Sequence, residues 1–237
     1  MILRNYKKGN CQAIFWNGKK KFVYKIPLSR KYDNNTNSIS LNPKDIYKYF
    51  REEWRYQKNT IRFNNSIRIL DRLEKISKNG LEEFFPETTI ISVNRNEHIV
   101  GDKKYYYSGN MIKQELIDDF FDNTVSLQSF NWKEILNIEV ELWKYGVGIG
   151  APADTWGPKN WGKTNSNAVK LVDTSHLTEN FKLVSKMLHP DIIEYRKKKL
   201  LSFNTVHSPH DIDQYFEYMS SFLNLENLHN KWGTYLN

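Results

Sequence analysis

The chain has 237 residues and carries 35 Lys or Arg against 27 Asp or Glu, a formal charge of +8 that favours acidic or phosphorylated partners. Its length allows one large domain or two small ones closely joined. A hydrophobic share of 39%, with 14% aromatic residues, is enough for a buried core. The single cysteine, Cys11, excludes an internal disulfide and a cysteine-based zinc site. No apolar run approaches membrane-spanning length, and Met1 to Lys8 lack the apolar stretch of a cleaved leader. The chain is therefore expected to be soluble in a reducing compartment such as the cytoplasm, or exported by a route that needs no cleaved signal.

Residues 11–28 read as a hairpin, with Asn17-Gly18 as its tight turn. In the return strand Phe22, Tyr24 and Ile26 share one face and Val23 and Lys25 the other, so a charge stands beside an apolar residue. Residues 29–44 are polar and aperiodic, a surface loop. A helix of about twenty residues is predicted from Asp45, with Ile46, Phe50, Trp54, Gln57 and Ile61 on one arc and Glu53 in the middle of it. A carboxylate on a buried arc is costly unless it meets a cation, and Lys25 is the candidate. A second amphipathic helix is expected over 67–77. Strands are predicted at 88–93, 105–107 and 111–117, with a turn at 94–97.

A domain boundary is placed near Asp118-Asp119, dividing the chain into 1–117 and 118–237. In the second part, 130–145 is a helix that Gly146 ends. The Gly- and Pro-rich stretch 146–163 is expected to be irregular, followed by a short strand at 168–172 that delivers Asp173 to its end. Residues 181–203 read as helix interrupted by Pro190, and helices at 211–223 and 225–232 close the chain. The basic run Arg196-Lys197-Lys198-Lys199 reads as a helix surface, and nucleic acid is not expected as a partner. Glu139, Glu141 and Lys144 superficially match an acidic metal site of nucleases, but their helical spacing reads as a solvated face.

In this order the chain resembles the protein-kinase-like fold in reduced form, an α+β architecture with a small antiparallel-sheet N-lobe and a mostly helical C-lobe. Lys25, in Val23-Tyr24-Lys25-Ile26, is similar to that family's strand lysine, and Glu53 to the helix glutamate that pairs with it. Gly9 looks like the middle glycine of the phosphate loop, with Gln12 where the last glycine usually stands. Gln114-Glu115 resembles the hinge that meets an adenine ring through its backbone. Asp154, Asn160 and Asp173 resemble the catalytic-loop Asp, the metal-binding Asn and the second metal-binding Asp. The thirteen-residue interval from Asn160 to Asp173 equals the family interval, whereas Asp154 lies one residue too far from Asn160.

The departures are equally plain. Pro152-Ala153 precedes Asp154, Thr174-Ser175 follows Asp173, and only 64 residues remain after Asp173. Among relatives this shortness looks most like the minimal kinases of bacterial effectors. The resemblance implies ATP and Mg²⁺ as cofactors. It implies phosphotransfer to a protein Ser or Thr hydroxyl, in a host cell if the chain is an effector. A small-molecule kinase and a nucleotide-binding pseudokinase are the alternatives, with a nuclease as the remote one.

Overall fold

The computed structural model describes residues 2–3, 5–8, 12–16, 21–27, 43–100, 103–117, 119–120, 132–150, 160–164, 166–203 and 208–236. Gly9, Cys11, the Asn17-Gly18 turn, the 29–42 loop and Asp154 lie outside them. The described residues form two compact units, Met1–Asp71 with Glu87–Leu116, and Arg72–Pro86 with Ile117–Asn237.

The first unit is built on a six-stranded sheet. Its strands are β1 (Ile2–Leu3), β2 (Asn5–Lys8), β3 (Gln12–Trp16), β4 (Phe22–Pro27), β5 (Thr88–Val100) and β6 (Lys103–Glu115). The sheet order is β1-β5-β6-β4-β3-β2. The hairpin of β3 and β4 forms as predicted, with Gln12 opposite Pro27 and Trp16 opposite Val23. Strands β1 and β2 are separated by Arg4 alone, yet β1 pairs in parallel with β5 and β2 antiparallel with β3. One run of chain thus supplies both outer strands of the sheet, pairing with β5 at one side and β3 at the other.

The turn expected at 94–97 is a bulge between Val93 and Asn96, after which β5 resumes against Tyr107, Tyr106 and Tyr105. The two later strands expected at 105–107 and 111–117 are one strand, β6. Gly109, opposite Val93, takes φ +137° at this irregularity, a conformation open mainly to glycine. The two predicted helices are likewise one, α1 (Pro43–Ile76). No Gly or Pro interrupts it, and Ser66 bonds back to the Arg62 carbonyl without breaking it. Its inward stripe is offset from the predicted arc: Asn59, Phe63, Ser66, Leu70 and Leu73 are buried, whereas Gln57 is exposed and Ile61 is 61% exposed.

The second unit holds the end of α1 and a 3₁₀ turn, Gly80–Glu83. Short strands β7 (Asp119–Phe120), β8 (Gly148–Ile149), β9 (Trp161–Lys163), β10 (Val169–Leu171) and β11 (Leu177–Thr178) follow. Five helices complete it: α2 (Trp132–Lys144), α3 (Phe181–Met187), α4 (Pro190–Phe203), α5 (Pro209–Phe222) and α6 (Leu225–Lys231). Strands β10, β9 and β7 form one small sheet, and β11 pairs with β8. The stretch expected to be irregular therefore carries β8 and β9, because pairing partners arrive from later in the chain.

Gly146, at φ +67°, ends α2. Its N–H donates to the Trp143 carbonyl and that of Val147 to Leu142, a Schellman cap. Asn180 and Asn224 cap α3 and α6 by accepting from Leu183 and Asn227. Leu136, Trp143, Val184, Leu188, Ile212, Phe216, Met219 and Leu228 form the core of this unit. The architecture is thus mixed α+β, an antiparallel-sheet unit and a mostly helical one, consistent with the two-lobed layout expected. Among the described residues no helix is long and apolar enough to cross a membrane.

Candidate active site

In the first unit the key side chain is Lys25, in the middle of β4. Every residue from Val23 to Pro27 is buried, so β4 is covered on both faces and Lys25 is only 4% exposed. An ammonium in that setting needs oxygen partners. Its Nζ donates to Gln114 Oε1 at 2.5 Å, a short, charge-assisted hydrogen bond. Gln114 is itself fully buried, and its Nε2 donates to Thr88 Oγ1 at 3.1 Å. The cross-strand register explains the meeting. Lys25 lies opposite Ile112, Gln114 opposite Val23, and Thr88 opposite Gln114. The three polar residues therefore share one face of β4, β6 and β5, with Ile112 beside them.

Gln114 thus works through its side chain, whereas the resemblance to a hinge implies only backbone contacts for Gln114-Glu115. The signal was present: in Met111-Ile112-Lys113-Gln114 an amide takes the place of an apolar residue two positions after Ile112, and a buried amide must be hydrogen-bonded. At Glu115 the backbone N–H donates to the Glu87 carbonyl at 2.8 Å, and the Leu116 N–H to the Lys21 carbonyl at 3.0 Å. Glu53 lies within α1, but its side chain is outside the described residues.

In the second unit Asn160 and Asp173 come together. Leu171 stands opposite Trp161 and Val169 opposite Lys163. The Asn160 carbonyl then accepts from the Val172 N–H at 2.8 Å and from the Asp173 N–H at 3.3 Å. The thirteen-residue interval is accordingly the length of this β-hairpin. Its tip is turned by Asn167 at φ +64°, whose N–H donates to the Thr164 carbonyl, a conformation that Asn tolerates better than most residues.

Trp161 and Leu171 are buried and anchor the hairpin, and the Leu171 N–H donates to the Phe84 carbonyl. Lys170 fastens the outer side, its Nζ donating to the Glu82 and Glu83 carbonyls at 2.6 and 3.0 Å. Burial holds the Lys170 pKa below its ordinary value, opposed by the nearby Glu83 and Glu82 charges. Asn160 is buried and Asp173 half-buried. Asp173 Oδ1 accepts from the Ser175 N–H at 2.9 Å, which fixes the carboxylate in a local turn.

No family model and no curated protein matches this chain. Solved structures of WbdD do resemble it. A crystal structure of WbdD aligns over 94% of this chain with 11% identity and a TM-score of 0.44. A structure described as the bifunctional kinase-methyltransferase WbdD aligns over 94% with 10% identity and a TM-score of 0.42, and monomeric WbdD over 93% with 9% identity and a TM-score of 0.42. The chain spans about half the length of these solved chains, 47% and 48% of the first two.

The nuclease motif fares differently. Glu139, expected on a solvated face, is only 2% exposed. Lys144 Nζ lies 2.5 Å from Glu141 Oε2, an ion pair along the helix. Among the described residues no three His, Cys, Asp or Glu side chains gather as a metal cage.

Proposed function

We propose that this chain is an ATP- and Mg²⁺-dependent phosphotransferase of kinase-like fold whose acceptor is a hydroxyl on a small molecule. The observation that supports it most is the β9–β10 hairpin, which sets Asn160 beside Asp173. The donor chemistry fits Mg²⁺: a carboxylate and an amide are hard oxygen ligands, and this ion typically takes only one or two carboxylates besides water and phosphate oxygens. When bound, Mg²⁺ neutralises charge on the nucleotide phosphates. The chain's own groups do the rest. Ser175 holds the Asp173 carboxylate in one orientation. Lys25, directed by its hydrogen bond to Gln114, receives phosphate oxygens. By resemblance, Glu53 would steady Lys25, Gly9 would belong to the phosphate loop and Asp154 would orient the acceptor hydroxyl. At Glu115 the N–H is committed to Glu87, so an adenine contact at that residue would fall on its carbonyl.

The choice of a small acceptor over a protein rests on the segment between Asp173 and α3. Protein kinases use a long activation segment beyond the metal-binding Asp. Here only 174–180 separate Asp173 from the start of α3, and β11 occupies part of that span. Incubation with labelled ATP, Mg²⁺ and panels of sugars, aminoglycosides and amino alcohols tests the reading. Transfer to one of these is expected, with Lys25→Ala and Asp173→Ala each reducing it by about a hundredfold or more. Transfer that survives both substitutions would sink the assignment. Label appearing on proteins of a lysate instead would restore the protein Ser/Thr kinase reading.

A further inference from the structure

Gln114 carries more than a filler role. It is fully buried on β6, in a position where an apolar residue would cost less unless the amide were needed. Both ends of its amide are used, and chemistry fixes which way it points. An ammonium can only donate, so the amide oxygen faces Lys25, at 2.5 Å, and the nitrogen faces Thr88, at 3.1 Å. Thr88 stands directly opposite Gln114 on β5, and Lys25 is diagonal to it on β4. Three neighbouring strands thus each contribute one member of a fixed polar row. The amide brings an acceptor and no charge, so what it adds to the other surroundings of Lys25 is direction.

We infer that Gln114 is a positioning residue for Lys25: it aims the ammonium along the sheet face through its amide oxygen, while Thr88 locks the amide against turning. The inference deepens the phosphotransferase reading and rests on it for the identity of the anion that Lys25 meets.

Competitive acetylation with trace acetic anhydride, followed peptide by peptide in the intact protein, measures the neutral fraction of each lysine without any nucleotide. Gln114→Met keeps the side-chain length and removes the acceptor. Lys25 labelling at fixed pH is then expected to rise about tenfold, the effect of losing one hydrogen bond to a charged group. Gln114→Glu is expected to lower it by a similar factor, and Thr88→Val, which lets the amide turn, to raise it less. A glutamine that only fills space would shift Lys25 in the same direction in all three variants, together with Lys21 and Lys113.

Same-direction shifts overturn the inference, as does unchanged labelling in a variant that melts cooperatively. If Gln114→Met does not fold, Thr88→Val carries the comparison. MgATP titration provides the second arm. Gln114→Met is expected to weaken MgATP binding about tenfold through Lys25, and unaltered affinity overturns the link to phosphate. A wild-type protein with no MgATP affinity defeats the phosphotransferase reading, while the labelling still decides whether Gln114 positions Lys25.

Discussion

Lys25 shows how much a single residue can reveal in the sequence. A charge beside Val23 reads on its own as an edge-strand lysine, yet β4 lies inside the sheet and the side chain is buried. Its Gln114 partner was not legible, because 89 residues separate the two and only the register of β4 on β6 brings them together. Glu139 escaped for a related reason: helical spacing alone placed it outward, yet it is buried in the second unit. Lys144 is only partly exposed and pairs with Glu141 one helical turn away and with Tyr235. Its hydrogen bond with Glu141 raises its pKa above the ordinary value, burial opposing, with Tyr235 assisting. A raised folded-state pKa means stability that is fully present below the unfolded value of 10.5 and lost as pH climbs through the folded one. The melting-temperature difference between wild type and Glu141→Gln should therefore be small and constant up to about pH 10, then shrink above it. A difference that grows with pH in that range would contradict the pairing.

Among the elements, α3, α4, α5, α6 and the β3–β4 hairpin follow from periodicity, caps and proline placement, and the structure reproduces them. Pro190 opens α4 where its missing N–H costs nothing. The first long helix and the β5–β6 hairpin were read as pieces because polar residues interrupt both. A helix tolerates exposed Asn64 and Asn65, and a hairpin can absorb Asn94 in a bulge.

The strands inside the glycine-rich stretch depend on close packing. A Cβ on Gly148 would lie 2.6 and 3.0 Å from the two methyls of buried Val184. Gly148→Ala should cost about 1–3 kcal/mol by overpacking, measured by urea denaturation. A neutral result would mean that α3 moves away from β8 without penalty.

For the whole molecule, the division into a sheet unit and a mostly helical unit follows from the element order, strands first and helices afterwards. The candidate site is legible in part. The interval from Asn160 to Asp173 marks a hairpin whose register makes them neighbours, whereas Gly9 and Asp154 lie outside the described residues. The passage from Asp173 to α3 is short, residues 174–180, and it is what supports the proposed small acceptor. The central claim, that Asp173 holds Mg²⁺ on a bound nucleotide, is tested most directly by calorimetric titration of ATP with and without Mg²⁺ into wild type and Asp173→Asn. The asparagine retains an oxygen for the Ser175 N–H and removes only the carboxylate charge. Mg²⁺ is expected to tighten ATP binding about tenfold or more in wild type and not in the variant. Equal enhancement by Mg²⁺ in both proteins, or no ATP binding by wild type, would contradict it.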